Sequence, residues 1–499
     1  MTDEVYDLLV IGGGINGAGI AADAAARGLS VLLAEADDLA GATSWASSKL
    51  IHGGLRYLEH FEFRLVREAL AEREVLLAKA PHIVHPLRFV LPHVAGMRSA
   101  LMMRAGLFLY DHLAPRQSLG ASHAIDLRHA PEGAPLVPGL SSGFSYWDCA
   151  VDDARLVVLN ALAARNAGAR ILTRTAVTSL KANNELWIAT LGREGHHCAA
   201  RAVVNAAGPW VADVAKLATA ARSAAPIAVR LVKGSHIVVP RIAGADVAYT
   251  FQNTDGRVVF ALPFEDDFTL IGTTEENVSS DPRHVAPTHA EETYLLDVAN
   301  RFFRDAPTRG DIVWSFAGVR PLDDDGAQSA SAVSRDYRLD LEATQSPPVL
   351  HVIGGKITTY RKLAETALSA LHPFFPHMRH GTTATTPLPG GNLGGRSFDQ
   401  WFEEFARTNS GFAPDDLRRL ARRYGTRAQD LIADARSKRD LGDDLGGGLA
   451  TREIAYLKSE EWAVTAEDIL WRRTKAGLHL APGERALAAE RIQNLLDKS

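Results

Sequence analysis

VYDLLVIGGGINGAGIAADAAARGLSVLLAE, residues 5–35, reads as a short apolar strand, a glycine turn, a helix and a second strand that ends on an acid. The spacing Gly12-x-Gly14-x-x-Gly17 falls between the first strand and the helix. Glycines at that spacing let the backbone turn sharply, approach a pyrophosphate and pack the helix tightly on the sheet. The helix N-terminus offers its unpaired N–H groups to the anion. Glu35 lies 18 residues past Gly17, at the carboxyl end of the second strand. A carboxylate there accepts both ribose hydroxyls of an adenosine and repels a 2′-phosphate. The stretch implies an α/β fold built on a Rossmann-like domain.

A GxGxxG run alone is a weak signal, and the flanking strand, helix and acid supply the context that gives it force. It suits FAD and NAD equally, because both carry the same adenosine diphosphate half. With 499 residues the chain exceeds one ordinary core, so two or three domains are expected. Hydrophobic residues at 46% and charged residues at 23% are the balance of a globular enzyme, and a net charge of −5 argues against nucleic acid as a partner. Cys149 and Cys198 stand too far apart for a zinc site or redox pair and read as buried thiols of a reducing compartment. MTDEVYD runs directly into the first strand with no basic and apolar leader, which points to the cytoplasmic side. No apolar run of about 18 residues is present to span a bilayer.

Between residues 37 and 60, DDLAGATSWASSKLIHGGLRYLEH fits neither the helical nor the strand period. Thr43, Ser44, Ser47, Ser48, Lys49, His52 and the Gly53-Gly54 pair are chemically too diverse for a plain linker, so the segment reads as one that wraps a cofactor. Residues 62–80 form an amphipathic helix closed by Pro81. MRSALMMRAGLFLYDHL, 97–113, sets apolar residues beside Arg98 and Arg104; it suits an anionic lipid surface and equally an ordinary packing face. A helix with an acidic start at Asp152 and Asp153 precedes RILTRTAVTSL, read as a strand, and ARAVVNAA ends on Ala207-Gly208 before another helix. From 226 to 316 the pattern alternates, in IAVRLVKGSHIVVP, RVVFALPF and FTLIGTT, which predicts an antiparallel sheet. LHVIGGKITTYRKLAETALSAL, 350–371, returns to strand, glycine turn and helix, with Lys356 opening the helix. After the Pro/Gly linker near 387–397 every segment reads as helix, with Thr465 and Asp468 as a capping pair and Arg418, Arg419, Arg422 and Arg423 as a solvated basic face. Asp323 and Asp325 match the start of a calcium loop, but Ser334 stands where that loop needs a bidentate Glu, so no metal is expected.

These segments together resemble the FAD-dependent, membrane-associated glycerol-3-phosphate dehydrogenases of aerobic bacteria. The resemblance rests on VIGGGINGAGIAADAAARG, SSKLIHGGLRYLE, VDDARL, VNAAGPW, LVKGSHIVVPR, LIGTT, FAGVRPL, GGKITTYRKLAE and EDILWRRTKAGL, in order and over nearly the whole chain. Trp45 stands where the family pattern leads one to expect a small hydroxyl residue. The resemblance implies a discontinuous FAD-binding domain (1–80, 148–225 and 313–386), an inserted antiparallel-sheet substrate-binding domain (81–147 and 226–312) and an all-helical C-terminal domain (387–499). It implies Gly12, Gly14 and Gly17 at the FAD pyrophosphate, Glu35 at the ribose and Val177 in the strand at the adenine. Thr43, Ser44, Ser47, Lys49, Leu50, His52, Gly53 and Gly54 are then on the flavin side, with Ala207 and Gly208 beside the dinucleotide and Gly355 and Lys356 at the flavin pyrimidine edge. A reduced flavin gathers negative charge at that edge, where a helix N-terminus and an ammonium stabilise it.

The implied reaction oxidises sn-glycerol 3-phosphate to dihydroxyacetone phosphate and passes the electrons to a membrane quinone. The enzyme is then cytoplasmic, peripheral on the inner membrane and a homodimer; a related flavoprotein can use oxygen instead, as an oxidase. A phosphate dianion needs a clamp, for which Arg56 and Arg320 are suited by their guanidinium forks, with Tyr57 adding a neutral hydrogen bond. His236 is the candidate base and His52 its rival, Lys356 holds substrate oxygens, and Thr273 or Thr274 contributes a hydroxyl.

Overall fold

Val5–Ile11 lies between His196–Asn205 and Val31–Ala34 and runs parallel to both. Val349–Ile353 extends this sheet on one side and Arg170–Leu172 on the other, again parallel, with Arg338–Glu342 closing one edge antiparallel. The central strand is apolar without alternation because both its faces are covered, and Leu8, Leu9 and Val10 are fully buried. Helices Ile15–Ala26, Asp153–Asn166 and Tyr360–Leu371 pack together over one face. The structure, a computed structural model, describes residues 4–94, 98–183, 185–218, 227–324, 336–344 and 347–498. Met97 of the amphipathic segment and Asp325 and Ser334 of the calcium test lie outside the described residues.

RILTRTAVTSL, expected as one strand, is two, Arg170–Leu172 and Val177–Ala182. The break has a cause: Arg174 N and Thr175 N, each at 2.7 Å, donate to Asp37 O and Glu35 O instead of continuing the strand. The antiparallel sheet is as expected in kind, with Val229–Pro240, Phe268–Gly272, Val258–Phe264 and Ala248–Gln252 as neighbours. It goes on through Val84–Pro92 and Ser142–Val151 to Leu50–Ile51. Trp314–Asp323, placed by expectation in the FAD-binding segment 313–386, pairs along its length with Val229–Pro240 and so belongs hydrogen-bond by hydrogen-bond to the second sheet.

In the C-terminal part, Phe398–Thr408, Pro414–Tyr424, Ala428–Ile432, Thr451–Glu461 and Pro482–Lys498 are helices, but the part is not all-helical as expected, since Asp444–Gly446 and Leu449–Ala450 pair as a short antiparallel hairpin about the glycines 446–448. Thr465 and Asp468 cap reciprocally, Asp468 N donating to Thr465 Oγ1 at 3.2 Å and Thr465 N to Asp468 Oδ2 at 2.9 Å, and the turn that follows, Asp468–Arg473, is π-helical. The run Arg418–Arg423 is only in part a solvated face: Arg418 is exposed, Arg419 and Arg422 are half-buried, and Arg423 is buried. Arg418 and Arg422 lie over the rings of Phe402 and Phe398, at 4.3 and 3.7 Å, and Arg423 is buried against Glu453 at 3.1 Å. The C-terminal helices are bound to the first domain by a fully buried ion pair, Arg155 Nη2 to Glu461 Oε1 at 3.0 Å.

His82, fully buried, meets the turns of Gly390 and Gly425 at this boundary, and His85 lies close by in the chain. Burial and the nearby arginines depress both rings, His82 to about 3 and His85 to about 4. Below the ordinary histidine value of about 6.5 the unfolded chain therefore takes up protons that the folded chain refuses, and stability falls as the pH drops. Between pH 6 and 4.5, roughly, each ring should contribute about 1.4 kcal/mol per pH unit to that loss. Melting temperatures of wild type, His82→Gln and His85→Gln across the window check this; equal acid slopes for all three would refute it.

Candidate active site

A cavity of ≈ 1280 Å³ opens where the ends of three parallel strands face the second sheet. The position is the crevice in which open α/β sheets hold their ligands. Gly14, Ala206 with Gly208, and Gly354 to Lys356 line it from the first sheet, and Gly234, His236, Phe260 and Arg320 from the second.

The glycine turn is tight where packing requires and open where a ligand approaches. A Cβ on Gly17 would stand 1.9 Å from Gly12 O, and one on Gly12 2.5 Å from Ala206 O. A Cβ on Gly14 would meet only Ser44 Oγ, at 3.2 Å, and Gly14 begins the helix Ile15–Ala26 without a side-chain cap of its own. Ser44 Oγ accepts from Ile15 N at 3.0 Å. Glu35 accepts from Gly13 N at 2.6 Å and from Asp37 N at 2.8 Å, and burial raises its carboxyl above the usual range. The acid thus pins the turn, and each carboxylate oxygen retains a second lone pair for a ribose hydroxyl. Open backbone at a helix N-terminus beside a pinned acid fits a dinucleotide.

Of the wrapping segment, Thr43, Ser44, Ser47, Leu50, His52 and Gly54 line the cavity. Thr43 Oγ1 donates to Val319 O at 2.5 Å and Ser47 Oγ to Asp153 Oδ2 at 2.7 Å, so both also fix the segment in place. Two residues expected on the flavin side are not in the wall. Lys49 is buried in an ion pair with Asp153 at 2.7 Å, and Gly53 N donates to the hydroxyl of Tyr110 at 2.8 Å while a Cβ there would stand 2.6 Å from Leu70. The extended stretch alternates: Leu50, His52 and Gly54 face the cavity, and Lys49, Ile51 and Gly53 do not. Val177 pairs with Leu191 outside the wall, and Ala207 lies between the wall residues Ala206 and Gly208. Lys356 does not open a helix: Tyr360–Leu371 begins four residues later, and Lys356 sits in the glycine turn with its ammonium 3.7 Å from the Tyr57 ring centroid.

Arg56, Arg320 and Lys356 converge on this one cavity, with Tyr57 and Thr273 beside them. Arg320 Nη1 is 3.3 Å from Glu275 Oε1, whereas Arg56 makes no ion pair among the described residues. Thr274 is turned away, accepting from Ser235 N at 3.0 Å and donating to Glu291 at 2.7 Å. His236 is stacked on Phe316 at 4.9 Å, and its Nε2 meets Ser48 Oγ at 2.9 Å. Burial, then the charges of Lys49 and Arg320, hold it well below the ordinary histidine value, so the ring is neutral. His52 is depressed as well, first by burial and then by Lys356, Arg73 and Arg320 against the opposing pull of Asp148. Ser48 and Glu275 belong to the site and were not singled out as site residues; Ser48 is one of several hydroxyls in an aperiodic run, and only the neighbouring strand marks it.

Residues 7–361 match the family model described as FAD dependent oxidoreductase, and residues 381–498 match the C-terminal domain of alpha-glycerophosphate oxidase. A glycerol-3-phosphate dehydrogenase of Pseudomonas aeruginosa is 53% identical over 98% of this chain and 96% of its own. A D-erythritol 1-phosphate dehydrogenase of Brucella abortus is 49% identical over 98% of each chain. Among solved structures, the glycerol-3-phosphate dehydrogenase of Bacillus halodurans complexed with FAD has a TM-score of 0.77 at 27% identity, covering 100% of this chain and 96% of that one. The chain belongs to the FAD-dependent oxidoreductases, and FAD is its cofactor.

Proposed function

We propose that this enzyme oxidises sn-glycerol 3-phosphate to dihydroxyacetone phosphate and delivers the electrons to a quinone at a membrane surface. The carrying observation is the convergence of Arg56, Arg320 and Lys356 with a neutral His236 on one cavity beside the glycine cradle. Three cations at one small site suit a phosphate dianion far better than a neutral or monoanionic substrate. Bound FAD supplies the two-electron acceptor for the hydride that leaves C2. The cradle of Gly12, Gly14 and Gly17 with Glu35 holds its dinucleotide half, and Thr43, Ser44, Ser47, Leu50, His52, Gly54 and Gly355 hold the flavin end.

His236 takes the proton of the C2 hydroxyl through Ser48: the serine hydroxyl passes its own proton to Nε2 as it receives the one from the substrate. Its basicity is linked to substrate. Arg320 is one of the two charges that depress the ring, and a phosphate bound to that guanidinium offsets the repulsion and makes the imidazole a stronger base when substrate is present. Lys356, beside the Tyr57 ring, holds the oxygen that turns from alcohol to carbonyl.

The membrane reading is supported by the rim. Leu101, Met102 and Phe108 on the helix Ala100–His112 are 81%, 61% and 63% exposed, and Phe61 next to it is 79% exposed. Met102 and Phe61 also line the cavity, so the apolar patch borders its mouth. No helix among the described residues is long and apolar enough to cross a membrane. Molecular oxygen is the alternative acceptor, favoured by the match of residues 381–498 to an oxidase's C-terminal domain.

Anaerobic stopped-flow mixing of the yellow enzyme with sn-glycerol 3-phosphate, and separately with D-erythritol 1-phosphate, tests substrate and acceptor together. The expectation is bleaching by the three-carbon substrate and fast reoxidation by a quinone analogue; fast reoxidation by oxygen makes the enzyme an oxidase, and absence of bleaching refutes the substrate. Arg320→Ala should raise KM about 10- to 150-fold, the equivalent of one lost charge-assisted hydrogen bond; an unchanged KM removes Arg320 from the clamp. His236→Asn should cut kcat by about 10²- to 10⁴-fold. Full retention of kcat would pass the role of base to His52. Leu101→Ser with Phe108→Ser should weaken binding to phosphatidylglycerol vesicles by more than about 10²-fold while sparing turnover with a water-soluble dye, since each buried side chain contributes about 1.5–3 kcal/mol. Unaltered vesicle binding would rule out this face as the membrane contact.

A further inference from the structure

The motif EDILWRRTKAG, 467–477, is used neither by the cofactor cradle nor by the substrate clamp. The structure sets two of its cations on the near end of the loop that wraps the dinucleotide and the third on the acid pair that holds the far end. At the near end, Asp38 is fully buried and accepts from Arg472 Nε at 2.6 Å, Arg473 Nη1 at 2.7 Å and Arg473 Nη2 at 2.8 Å. Arg473 is itself fixed, its Nη2 donating at 2.8 Å to Glu461 O. At the far end, Lys475 pairs with Asp152 at 2.7 Å, and the next residue, Asp153, holds Lys49 at 2.7 Å and the Ser47 hydroxyl at 2.7 Å. Lys475 is buried at φ +58, a conformation that non-glycine residues seldom adopt and that persists where the surroundings over-determine it.

Between the two anchors the loop touches the cradle directly. Ala40 N donates to Gly13 O at 3.1 Å, and Ser44 Oγ accepts from Ile15 N, the first residue of the helix whose N-terminus faces the pyrophosphate. Thr43, Ser44 and Ser47 then form cavity wall. Asp38 without Arg472 and Arg473 is a buried charge left only with the longer pair to Arg174, at 3.9 Å, and the loop is expected to lift when they leave.

We infer that Arg472, Arg473 and Lys475 are positioning residues for FAD: the C-terminal domain fastens residues 38–49 at both ends, and the dinucleotide leaves only when that fastening opens. The inference rests on the cofactor and is independent of which alcohol is oxidised.

FAD release from diluted holoenzyme, read as the rise in free-flavin fluorescence, tests it, with the melting temperature of each apoprotein measured alongside. Arg472→Met and Lys475→Met should release FAD about tenfold faster or more, and Arg472→Lys should stay within about threefold of wild type. Arg165→Met, which removes an interdomain pair with Glu460 at 2.8 Å outside the loop, should release FAD at the wild-type rate. Should Lys475→Met fail to fold, Arg472→Met decides, because Asp38 keeps Arg473 in that variant. Wild-type release rates in the Met variants overturn the inference, as does an equal acceleration in Arg165→Met.

Discussion

The approach of Gly17 to Gly12 is the contact on which the rest of the site depends. With no room for a Cβ between them, the helix Ile15–Ala26 starts directly against the end of the central strand. Its N-terminus therefore faces the crevice rather than solvent. The same helix reaches across to the other glycine turn, where Asn16 Nδ2 donates to Gly354 O at 3.0 Å and a Cβ on Gly355 would stand 2.9 Å from that nitrogen. Since Lys356 follows Gly355, the packing that makes the pyrophosphate cradle also places a cation at the far end of the cavity. The open glycine cradle and the placing of this cation are two results of one close approach.

Strand register completes the arrangement on the opposite wall. In the antiparallel pair of Val229–Pro240 with Trp314–Asp323, His236 opposes Phe316, Gly234 opposes Gly318 and Val232 opposes Arg320. Alternation in a strand puts His236, Gly234 and Arg320 on one face, and a slip of one residue would turn them all away. The opposed glycines lie between His236 and Arg320. A Cβ on Gly234 would strike Thr273 Oγ1 at 2.6 Å and Arg320 Nη2 at 2.8 Å, and one on Gly318 would strike Ala46 of the wrapping loop at 2.9 Å. Bare backbone at these two positions admits the Thr273 and Arg320 side chains at one and the wrapping loop at the other.

The local features of this enzyme were legible in its sequence. Strand, glycine turn, helix and acid at 5–35, the antiparallel character of 226–316 and the Thr465/Asp468 cap each depend on residues close together in the chain, where turn chemistry and periodicity apply. What required the structure was non-local. Trp314–Asp323 carries no mark of which sheet it joins, since pairing is chosen by a partner some 80 residues away. Lys49 and Gly53 looked like their neighbours in an aperiodic loop, and only the positions of Asp153 and Tyr110 separate buried support from cavity wall. Ser48 becomes part of the site through a strand residue, His236, that no sequence spacing connects to it. Lys356 is legible as a cation at a glycine turn, whereas the helix boundary is not, because the Ile357–Thr359 turn precedes the first helical residue.

Trp45 shows how a departure from a family pattern is absorbed. It occupies the wrapping loop between wall residues Ser44 and Ala46 yet is not itself in the wall. Its ring stacks at 5.8 Å on Trp314 of the second sheet, which stacks at 4.5 Å on Trp471 of the C-terminal π-helical turn. Lys49 Nζ donates at 2.5 Å to the Trp45 carbonyl, so the backbone at this point is tied to the same ion pair that ends the loop. Aromatic rings offer large buried area at low entropic cost. The Trp45 ring is thus the packing contact by which three parts of the chain meet, and its smaller neighbours Ser44 and Ala46 form the cavity wall.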